Sequence, residues 1–563
     1  MKMIKYLSLI FFLFFLAMVS CQEDPLEEKV VSEVTTEYYE GEDGLESAVN
    51  AAYSRLRNYY GDHDGIYMTV FGTDEYTHGG HGGEHFMDKY TLGLNSEAGL
   101  MWHNWSNFYK AINTCNTVIS HGEEVDMSQE KKAQLLAEAR FLRAHYYFLL
   151  VRFWGPVHLT LEETVGMETD AERTSEDKVY EAIVSDLEFA MEKLPASQEE
   201  FGRATEPAAK HMLALVKLTR GYKDYAKSDD FEQAAKLASE VINDYDHSLL
   251  ESTKQVFDLD NEQNEEVVWS VQYSEEALLR GPGNRAHVMF RPRYDVYNNG
   301  GLRRALGEGY GRPWQRFRPN QWFLNNFRPL DVDARYDQMF QDVWYYNTEV
   351  ELPEGAEIGD TAIWITSEEL TKQKVERIKE RNPGIRLYTW NSNHHYDVFN
   401  GEPSTFKDSL FCPLNMFPSN TKTDDPTRTS TNAMDGTRNV IVYRLAETYL
   451  IAAEALYQDD RPEDAVDMIN VIRRRAAFEG KEDEMEITTS ELDLDFILDE
   501  RARELFGEQK RWLDLKRTEK LVERVRAYNP EGGPNIEEYH RLRPIPAQQR
   551  ERTSGGYPQN EGY

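Results

Sequence analysis

Apolar residues recur with the period of an α-helix on both sides of a less regular middle region. Between Ala133 and Phe153 they fall on one helical face, with a spacing of about 3.6 residues. Two runs after Val440 show the same spacing. The apolar positions of the three runs are Leu135, Ala139, Leu142, Tyr146, Leu149 and Phe153; Tyr449, Ala452, Ala453 and Leu456; and Ala465, Met468, Ile469 and Ile472. This pattern predicts a mostly α-helical protein.

Local signals predict where several helices begin and end. Gly155-Pro156 is expected to stop the first helix. Thr174 with Asp177 has the form of a capping box. Thr205 is a suitable N-cap for another helix, because Pro207 is tolerated in the first helical turn. The remaining predicted helices span Phe231–Tyr245, the region from Val440 to Ile472, and Asp495–Val525.

The middle of the chain differs from both flanks. Gly, Pro, Asn and aromatic residues dominate between 248 and 438, and apolar periodicity mostly disappears. Long irregular loops are uncommon unless they are functional. On the C-terminal flank, Ala453 and Ala465 lie twelve positions apart, the small-residue spacing of paired helices in tetratricopeptide-like units. We therefore expect a tetratricopeptide-like scaffold of helical pairs with a large loop-rich insert.

The first residues have the layout of an export signal. Lys2 and Lys5 precede an apolar run that ends at Val19, and this run is shorter than the ~20 residues of a membrane span. Ser20-Cys21 follows, and the chain then turns acidic. The predicted divisions are 1–20, a signal peptide; 21–40, a lipidated tether; 41–247, an N-terminal helical block; 248–438, the insert; and 439–563, a C-terminal helical block of the same single unit.

Composition restricts the partners. Acidic residues number 99 against 63 basic ones, which gives a formal net charge of −36. This charge opposes binding to nucleic acid or to an anionic membrane face. With three cysteines in 563 residues, the fold must depend on an apolar core rather than on disulfides.

The sequence carries no recognisable catalytic signature. Gly-x-Ser-x-Gly, His-Glu-x-x-His, a phosphate-binding loop and a cysteine cluster are all missing from it. A glycosidase needs only two suitably placed carboxylates, and the many acidic residues leave a surface glycoside hydrolase as an alternative. We expect a binding protein that is not an enzyme and has no cofactor.

A series of motifs follows the order found in one known family. They are Glu138-Ala139-Arg140-Phe141-Leu142-Arg143-Ala144, Phe153-Trp154-Gly155-Pro156, Gly202-Arg203-Ala204-Thr205, Tyr443-Arg444-Leu445-Ala446-Glu447, Glu500-Arg501-Ala502-Arg503-Glu504-Leu505, Arg511-Trp512-Leu513-Asp514-Leu515 and Pro544-Ile545-Pro546. Together they resemble the SusD/RagB family of outer-membrane nutrient-binding lipoproteins. Met18-Val19-Ser20-Cys21 likewise resembles the lipobox of bacterial lipoproteins, in which the cysteine carries the lipid.

The resemblance implies a function and a partner. A protein of this kind binds glycans, or in some cases peptides, at an irregular face of a helical scaffold. It delivers them to a SusC-like TonB-dependent β-barrel transporter, over which it sits as a lid. The implied location is the outer membrane, anchored through a lipid on Cys21 and facing the exterior. The alternative within binding proteins is capture of peptides or protein fragments. The motif residues Glu500, Arg501, Arg503 and Glu504 are expected to form ion pairs, and Trp512 to lie in the core.

The segment Gly72–Trp102 is the most unusual stretch. It places His78, His81 and His85 among glycines and acidic residues. Imidazole and carboxylate groups suit zinc or similar ions, but their spacing here matches no standard metal site. The alternative is a polar loop whose histidines hydrogen-bond a ligand or water, and we assign no metal to it.

Aromatic residues of the insert are the other candidates, because sugar rings stack on aromatic planes. About half of them are expected to form the insert's own core. We expect the segment Gly72–Trp102 and the segment Tyr294–Trp344 to converge on one ligand-binding surface. The candidate ligand-binding residues are Tyr76, His78, His81, His85, Trp102, Tyr294, Trp314 and Trp322.

Overall fold

A computed structural model describes residues 39, 41–80, 82–276, 279, 281–368, 370–390 and 414–563. The predicted signal peptide, the lipid attachment site Cys21 and the candidate His81 lie outside these residues. No helix of the part described is long and apolar enough to cross a membrane.

Long helices form the N-terminal part. Each contacts the next, α4 with α5, α5 with α6, α6 with α7 and α7 with α8, so that successive pairs stack as expected for a tetratricopeptide-like scaffold. The elements are α1 (Glu42–Ser54), α2 (His63–Val70), β1 (Tyr76–His78), α3 (His85–Lys89), α4 (Gly99–Gly122), α5 (Gln129–Trp154), α6 (Glu176–Lys193), α7 (Glu206–Gly221) and α8 (Asp230–Asn243).

Two of the predicted helix starts have different outcomes. The Thr205 cap is confirmed, since its Oγ1 accepts a hydrogen bond from the backbone N–H of Ala208 at 3.4 Å. The prediction of a capping box at Thr174 is wrong, because α6 begins at Glu176. The backbone N–H of Thr174 instead donates to the carbonyl of Val157 at 2.9 Å, as part of a β-bridge.

The middle region consists of short elements joined by long loops, as predicted. Its strands form small sheets in which β2 pairs with β9, β4 with β8, β1 with β3, and β6 lies between β5 and β7. The elements are α9 (Thr253–Val256), β2 (Val267–Val271), α10 (Ala286–Met289), β3 (Phe317–Pro319), α11 (Gln321–Asn325), α12 (Arg335–Met339), β4 (Phe340–Gln341), β5 (Val343–Tyr345), β6 (Thr361–Thr366), α13 (Lys372–Arg381), β7 (Arg386–Thr389), β8 (Ser419–Asn420) and β9 (Val440–Arg444).

The C-terminal part returns to helices. They are α14 (Leu445–Gln458), α15 (Pro462–Ala476), α16 (Glu482–Met485), α17 (Leu494–Leu505), α18 (Arg511–Arg517), α19 (Leu521–Tyr528) and α20 (Ala547–Arg552). The predicted helix from Val440 is wrong over its first five residues, which form β9. The single helix predicted for Asp495–Val525 is also wrong, because left-handed residues at Gln509 (φ 60°) and Glu519 (φ 62°) divide it. The domain limits at 247 and 438 stay predictions.

Buried charges and the last residues tie the parts together. Glu500 contacts Arg503 at 2.6 Å and Arg335 of the insert at 2.7 Å, so the predicted ion pairs also bridge distant segments. Trp512 is fully buried, as expected. Near the C-terminus, the Nδ2 of Asn560 donates to the carbonyl of Trp154 at 3.1 Å. The end of the chain thereby closes onto the N-terminal helical pairs.

Candidate ligand-binding face

Two irregular segments meet where β1 pairs with β3. Tyr76 lies opposite Pro319 and His78 opposite Phe317, in antiparallel register. The backbone N–H of Gly79 continues this pairing by donating to the carbonyl of Arg316 at 2.8 Å. The Gly72–Trp102 and Tyr294–Trp344 segments therefore adjoin, as predicted, and that they form one ligand-binding surface stays a prediction.

Backbone hydrogen bonds fix Trp314 and Arg316 just before β3. The N–H of Trp314 donates to the carbonyl of Val288 at 2.8 Å, and that of Arg316 donates to Met289 at 2.9 Å. Between them, buried Gln315 has a left-handed backbone with φ of 48°. Non-glycine residues held in this conformation are often found at binding sites. The guanidinium of Arg316 lies 5.4 Å from the centroid of the half-buried Trp314 ring.

A glycine-rich turn approaches this pair closely. A Cβ atom on Gly79 would lie 2.1 Å from the carbonyl oxygen of Gln315, and one on Gly83 would lie 2.4 Å from Nη1 of Arg316. A side chain at position 79 would push the turn away from the backbone of the Trp314–Arg316 segment, whereas one at position 83 would displace the flexible end of the Arg316 side chain. Gly79 is therefore required for close approach of the backbone.

On its other side the turn approaches Asn415. A Cβ on Gly80 would lie 1.6 Å from Oδ1 of Asn415, and Nδ2 of Asn415 donates to the hydroxyl of Tyr297 at 2.8 Å. The Tyr297 side chain is 36% exposed. We use the name rim for the side chains of Trp314, Arg316, Tyr297 and Asn415 together with the glycines at positions 79, 80 and 83.

Two of the predicted ligand contacts are wrong. Tyr76 and Tyr294 are 1% and 0% exposed. The Tyr76 ring packs 5.2 Å from that of Phe290. Tyr294 stacks on Trp344 at 5.9 Å and donates its hydroxyl proton to the carbonyl of Gly311. Both rings belong to the main apolar core of the protein, so they present no face to a ligand.

His78 has a structural position, whereas His85 lies nearer the surface. Buried His78 contacts Asp88 through Nδ1 at 3.2 Å, and its backbone N–H donates to the same carboxylate at 2.9 Å. Burial alone would raise the pKa of Asp88, but the bonds from His78 and Asn529 bring it below its ordinary value. His85 is half-buried, with its ring centroid 4.5 Å from that of His78. Asp88 thus holds the start of the glycine-rich turn.

The other two tryptophan candidates have different neighbours. Trp322 stacks on Tyr528 of α19 at 4.7 Å, with the Arg524 guanidinium also 4.7 Å from its ring. Trp102 lies at the start of α4, 5.0 Å from the guanidinium of Arg552. Both rings are half-buried. Their contact with a ligand stays a prediction.

A metal site in the Gly72–Trp102 segment finds no support in the positions of its acidic residues. Asp74 is buried against Arg511 and Arg524, at 2.6 and 2.7 Å. Burial raises the pKa of neighbouring Glu75 to about 8. Neither carboxylate is directed to a shared ion with His78.

A different group, Asp62, Asp64 and His103, has ligand atoms within 4.8 Å of one another. Cations of the protein already contact it. His63 lies 3.4 Å from both carboxylates, and Arg285 lies 3.9 Å from Asp62. These contacts supply positive charge where a metal would, and the group is explained as an ion-pair cluster at the start of α2.

Sequence reasoning missed Arg316 and Asn415. Arg316 gave no local signal, because the left-handed backbone of Gln315 breaks the alternation of an extended segment. Asn415 gave no such signal, because only the fold brings it beside Gly80.

Comparison with known proteins decides the family. A sequence model of the SusD family matches residues 265–563. The chain belongs to the SusD family. A second family model, described as "Starch-binding associating with outer membrane", matches residues 43–218.

Individual SusD-like proteins match over nearly the whole chain. SusD-like protein P2 of Formosa agariphila is 26% identical over 587 aligned positions, covering 99% of this chain and 100% of that protein. The fold matches a laminarin binding SusD-like protein with a TM-score of 0.67 at 21% identity, covering 93% of this chain and 100% of the other. Surface glycan-binding protein A of Bacteroides thetaiotaomicron, in complex with laminarihexaose, matches with a TM-score of 0.65 at 19% identity, covering 92% and 99%. These structural matches establish the SusD fold.

Proposed function

We propose that this SusD-family protein binds glycans at the rim and delivers them to a TonB-dependent β-barrel transporter in the outer membrane. The observation that carries the proposal is the arrangement of the rim. Two irregular segments, joined by β1 and β3, bring Trp314, Arg316, Tyr297 and Asn415 to one glycine-lined surface.

The side chains of the rim suit a carbohydrate. The indole of Trp314 and the phenol of Tyr297 offer flat surfaces to the C–H faces of sugar rings. The guanidinium of Arg316 donates hydrogen bonds, and the amide of Asn415 both donates and accepts them. Sugar hydroxyls need both kinds of partner. A small number of fixed polar groups beside aromatic surfaces is typical of specific ligand sites.

Binding without hydrolysis also agrees with this chemistry. An indole, a guanidinium, a phenol and an amide do not form the carboxylate pair that glycosidases use. Relatives in the comparison are named for binding, one for laminarin and one for surface glycans. These names support a binding role for the present chain as well.

The anchor and the transporter complete the proposal. A lipid on Cys21 would hold the protein at the outer membrane, facing the exterior, and more than one acyl chain makes such anchoring durable. The family description that matches residues 43–218 also mentions the outer membrane. A SusC-like barrel should then co-purify from the native membrane in mild detergent.

The decisive experiment is a binding screen with a matched variant. Soluble protein beginning after Cys21 is applied to an array of oligosaccharides and, in parallel, to a peptide library. Glycan binding that Trp314→Ala weakens, while Leu92→Ala leaves it unchanged, supports the proposal. Leu92 is a suitable control because its side chain is 94% exposed. Binding to peptides alone would overturn the glycan proposal in favour of peptide capture, and release of reducing sugar would indicate an enzyme.

A further inference from the structure

The insert contains a second recess, to which none of the rim side chains contributes. It is a cleft of about 520 Å³, within the range of about 300–1,000 Å³ found for small-molecule sites. Its lining includes Tyr310 and Tyr345, here called the tyrosine wall, together with Lys254 and Asp258. No family motif quoted above falls among these residues.

The tyrosine wall is held in place by hydrogen bonds. The backbone N–H of Gly309 donates to Oδ2 of Asp424 at 2.6 Å, and the Gly309 carbonyl accepts from the indole N–H of Trp344 at 3.1 Å. The next residue, Tyr310, accepts the backbone N–H of Tyr345 at 3.3 Å through its hydroxyl. The wall is therefore formed before any ligand arrives, which lowers the entropic cost of binding.

Tyr345 presents its ring beside the cleft. The residue lies on β5, at the edge of its three-stranded sheet, and its side chain is 48% exposed. Its neighbour Trp344 is fully buried, because successive side chains of a strand point to opposite faces. An aromatic ring exposed at the edge of a preformed cleft is suited to stack on a sugar.

Amide side chains supply the polar groups. Gln338 and Gln341 both line the cleft. One N–H of the Gln341 amide donates to the carbonyl of Val343 at 3.2 Å, and its second proton is a further donor. The Oε1 of Gln338 is buried and accepts no hydrogen bond within the described residues. Such an acceptor is costly unless a partner satisfies it, and a hydroxyl of a bound ligand is a suitable partner.

The charges around the cleft balance one another. The lining contains the cations Lys254 and Arg438 and the carboxylates Asp258, Glu308 and Asp424. Asp424 is neutralised by Arg291 at 2.6 Å, which leaves two cations and two carboxylates. An excess of one sign would select an ionic ligand, whereas this lining favours an uncharged molecule rich in hydroxyl groups.

We infer that the cleft between Tyr345 and Lys254 is a second carbohydrate site, which binds a short neutral oligosaccharide. The inference rests on the proposed glycan-binding function and adds a site that is separate from the rim. Two sites on one chain would increase the apparent affinity for a long polymer when both engage the same molecule.

The test is a calorimetric titration that measures how many oligosaccharide molecules bind to each chain. Maltohexaose, laminarihexaose, xylohexaose and mannohexaose are titrated into the wild type, Trp314→Ala, Tyr345→Ala and the double variant, with trigalacturonate as the charged probe. Tyr345→Phe and Leu92→Ala are the controls. For a hexasaccharide that binds, we expect two molecules per chain of the wild type. We expect one molecule per chain of each single variant and none for the double variant. Gln338→Ala should weaken the cleft site about two- to tenfold, the size of one lost contact, with the rim site unchanged.

The outcomes separate the two proposals. A stoichiometry of one that Trp314→Ala abolishes and Tyr345→Ala leaves intact would overturn the cleft site while retaining the function. Binding of trigalacturonate alone at the Tyr345-dependent site would overturn its neutral character. No binding of any probe would contradict the glycan function and the cleft site together. Equal melting temperatures of wild type and Tyr345→Ala are expected, because the ring is exposed.

Discussion

The carboxylate of Asp74 accepts two hydrogen bonds from the guanidinium of Arg511, at 2.7 Å from Nε and 2.6 Å from Nη2. Both side chains are nearly fully buried. The pair joins the segment before β1 to helix α18. It therefore fixes the start of β1, which leads into the glycine-rich turn, to the C-terminal helices.

Replacing Asp74 with Asn should destabilise the fold strongly. The change leaves the buried guanidinium groups of Arg511 and Arg524 without their shared carboxylate, and breaking such a pair costs about 3–5 kcal/mol. Denaturant unfolding measures the loss. Asp464→Asn is the control, since its pair with Arg461 is about half exposed and should contribute less than about 1 kcal/mol. Equal effects of the two substitutions would contradict the structural role of Asp74.

Glu75 should make stability fall as the pH rises. Burial raises its pKa to about 8 in the folded protein, above the ordinary value of 4.5, so the folded state holds a proton that the unfolded state releases between these values. The unfolding free energy therefore decreases from about pH 4.5 to 8, at up to about 1.4 kcal/mol per pH unit. Glu75→Gln should remove this contribution. The unfolding free energy of the variant minus that of the wild type should therefore increase as the pH rises through this interval. Parallel stability curves for the two proteins would refute the assignment.

Substitution of Trp314 by Ala should lower the glycan affinity, whereas substitution of Tyr294 by Ala should lower the stability. Trp314→Ala is expected to weaken glycan affinity by about 0.5–1.5 kcal/mol with little change in melting temperature, because the ring is only half-buried. Tyr294→Ala removes a fully buried ring and should lower the unfolding free energy by about 3–5 kcal/mol. Calorimetric titration and thermal melts on both variants provide the comparison. A large drop in melting temperature for Trp314→Ala, with unchanged affinity, would place that residue in the core instead.

The glycine-rich turn allows a matched pair of substitutions. Gly79→Ala brings a Cβ to 2.1 Å from the backbone oxygen of Gln315, so the turn or the Trp314–Arg316 segment must move. Gly82→Ala meets only the His85 ring, at 4.0 Å. We expect Gly79→Ala to weaken glycan binding severalfold and Gly82→Ala to leave it unchanged, as measured by titration. If the two variants bind alike, the close approach is irrelevant to the ligand.

The lipid anchor is tested at Cys21. Cys21→Ala should remove palmitate labelling and shift the protein out of the outer-membrane fraction, because the acyl chains supply the membrane affinity. Ser20→Ala keeps a small residue before the cysteine and serves as the control. Normal labelling of the Cys21→Ala protein would show that the lipid is attached elsewhere.

The long helices followed from the sequence because their apolar periodicity is local. The helix predicted for Ala133–Phe153 lies within α5, Gln129–Trp154. The strand β9 was mistaken for a helix, since five residues are too few to distinguish the two periods. The division of the last predicted helix was also missed, because Gln509 and Glu519 adopt left-handed conformations that usually favour glycine.

The candidate site was predicted only in outline. That the two irregular segments converge followed from their interruption of helical blocks. Which aromatic rings are exposed did not, because burial of Tyr294 depends on Trp344 and on the backbone of Gly311. The polar partners, such as Asn415, come from parts of the chain that only tertiary packing brings together.

The hydrogen bond from Asn560 to the carbonyl of Trp154 has a consequence for how the chain acquires its fold. Synthesis proceeds from the N-terminus, so the end of α5 lacks this partner until residue 560 has been made. Contacts between positions so distant in sequence form slowly, because closing the intervening loop is entropically unfavourable. The end of α5 therefore gains this stabilising contact late, after the N-terminal helical pairs themselves have been made.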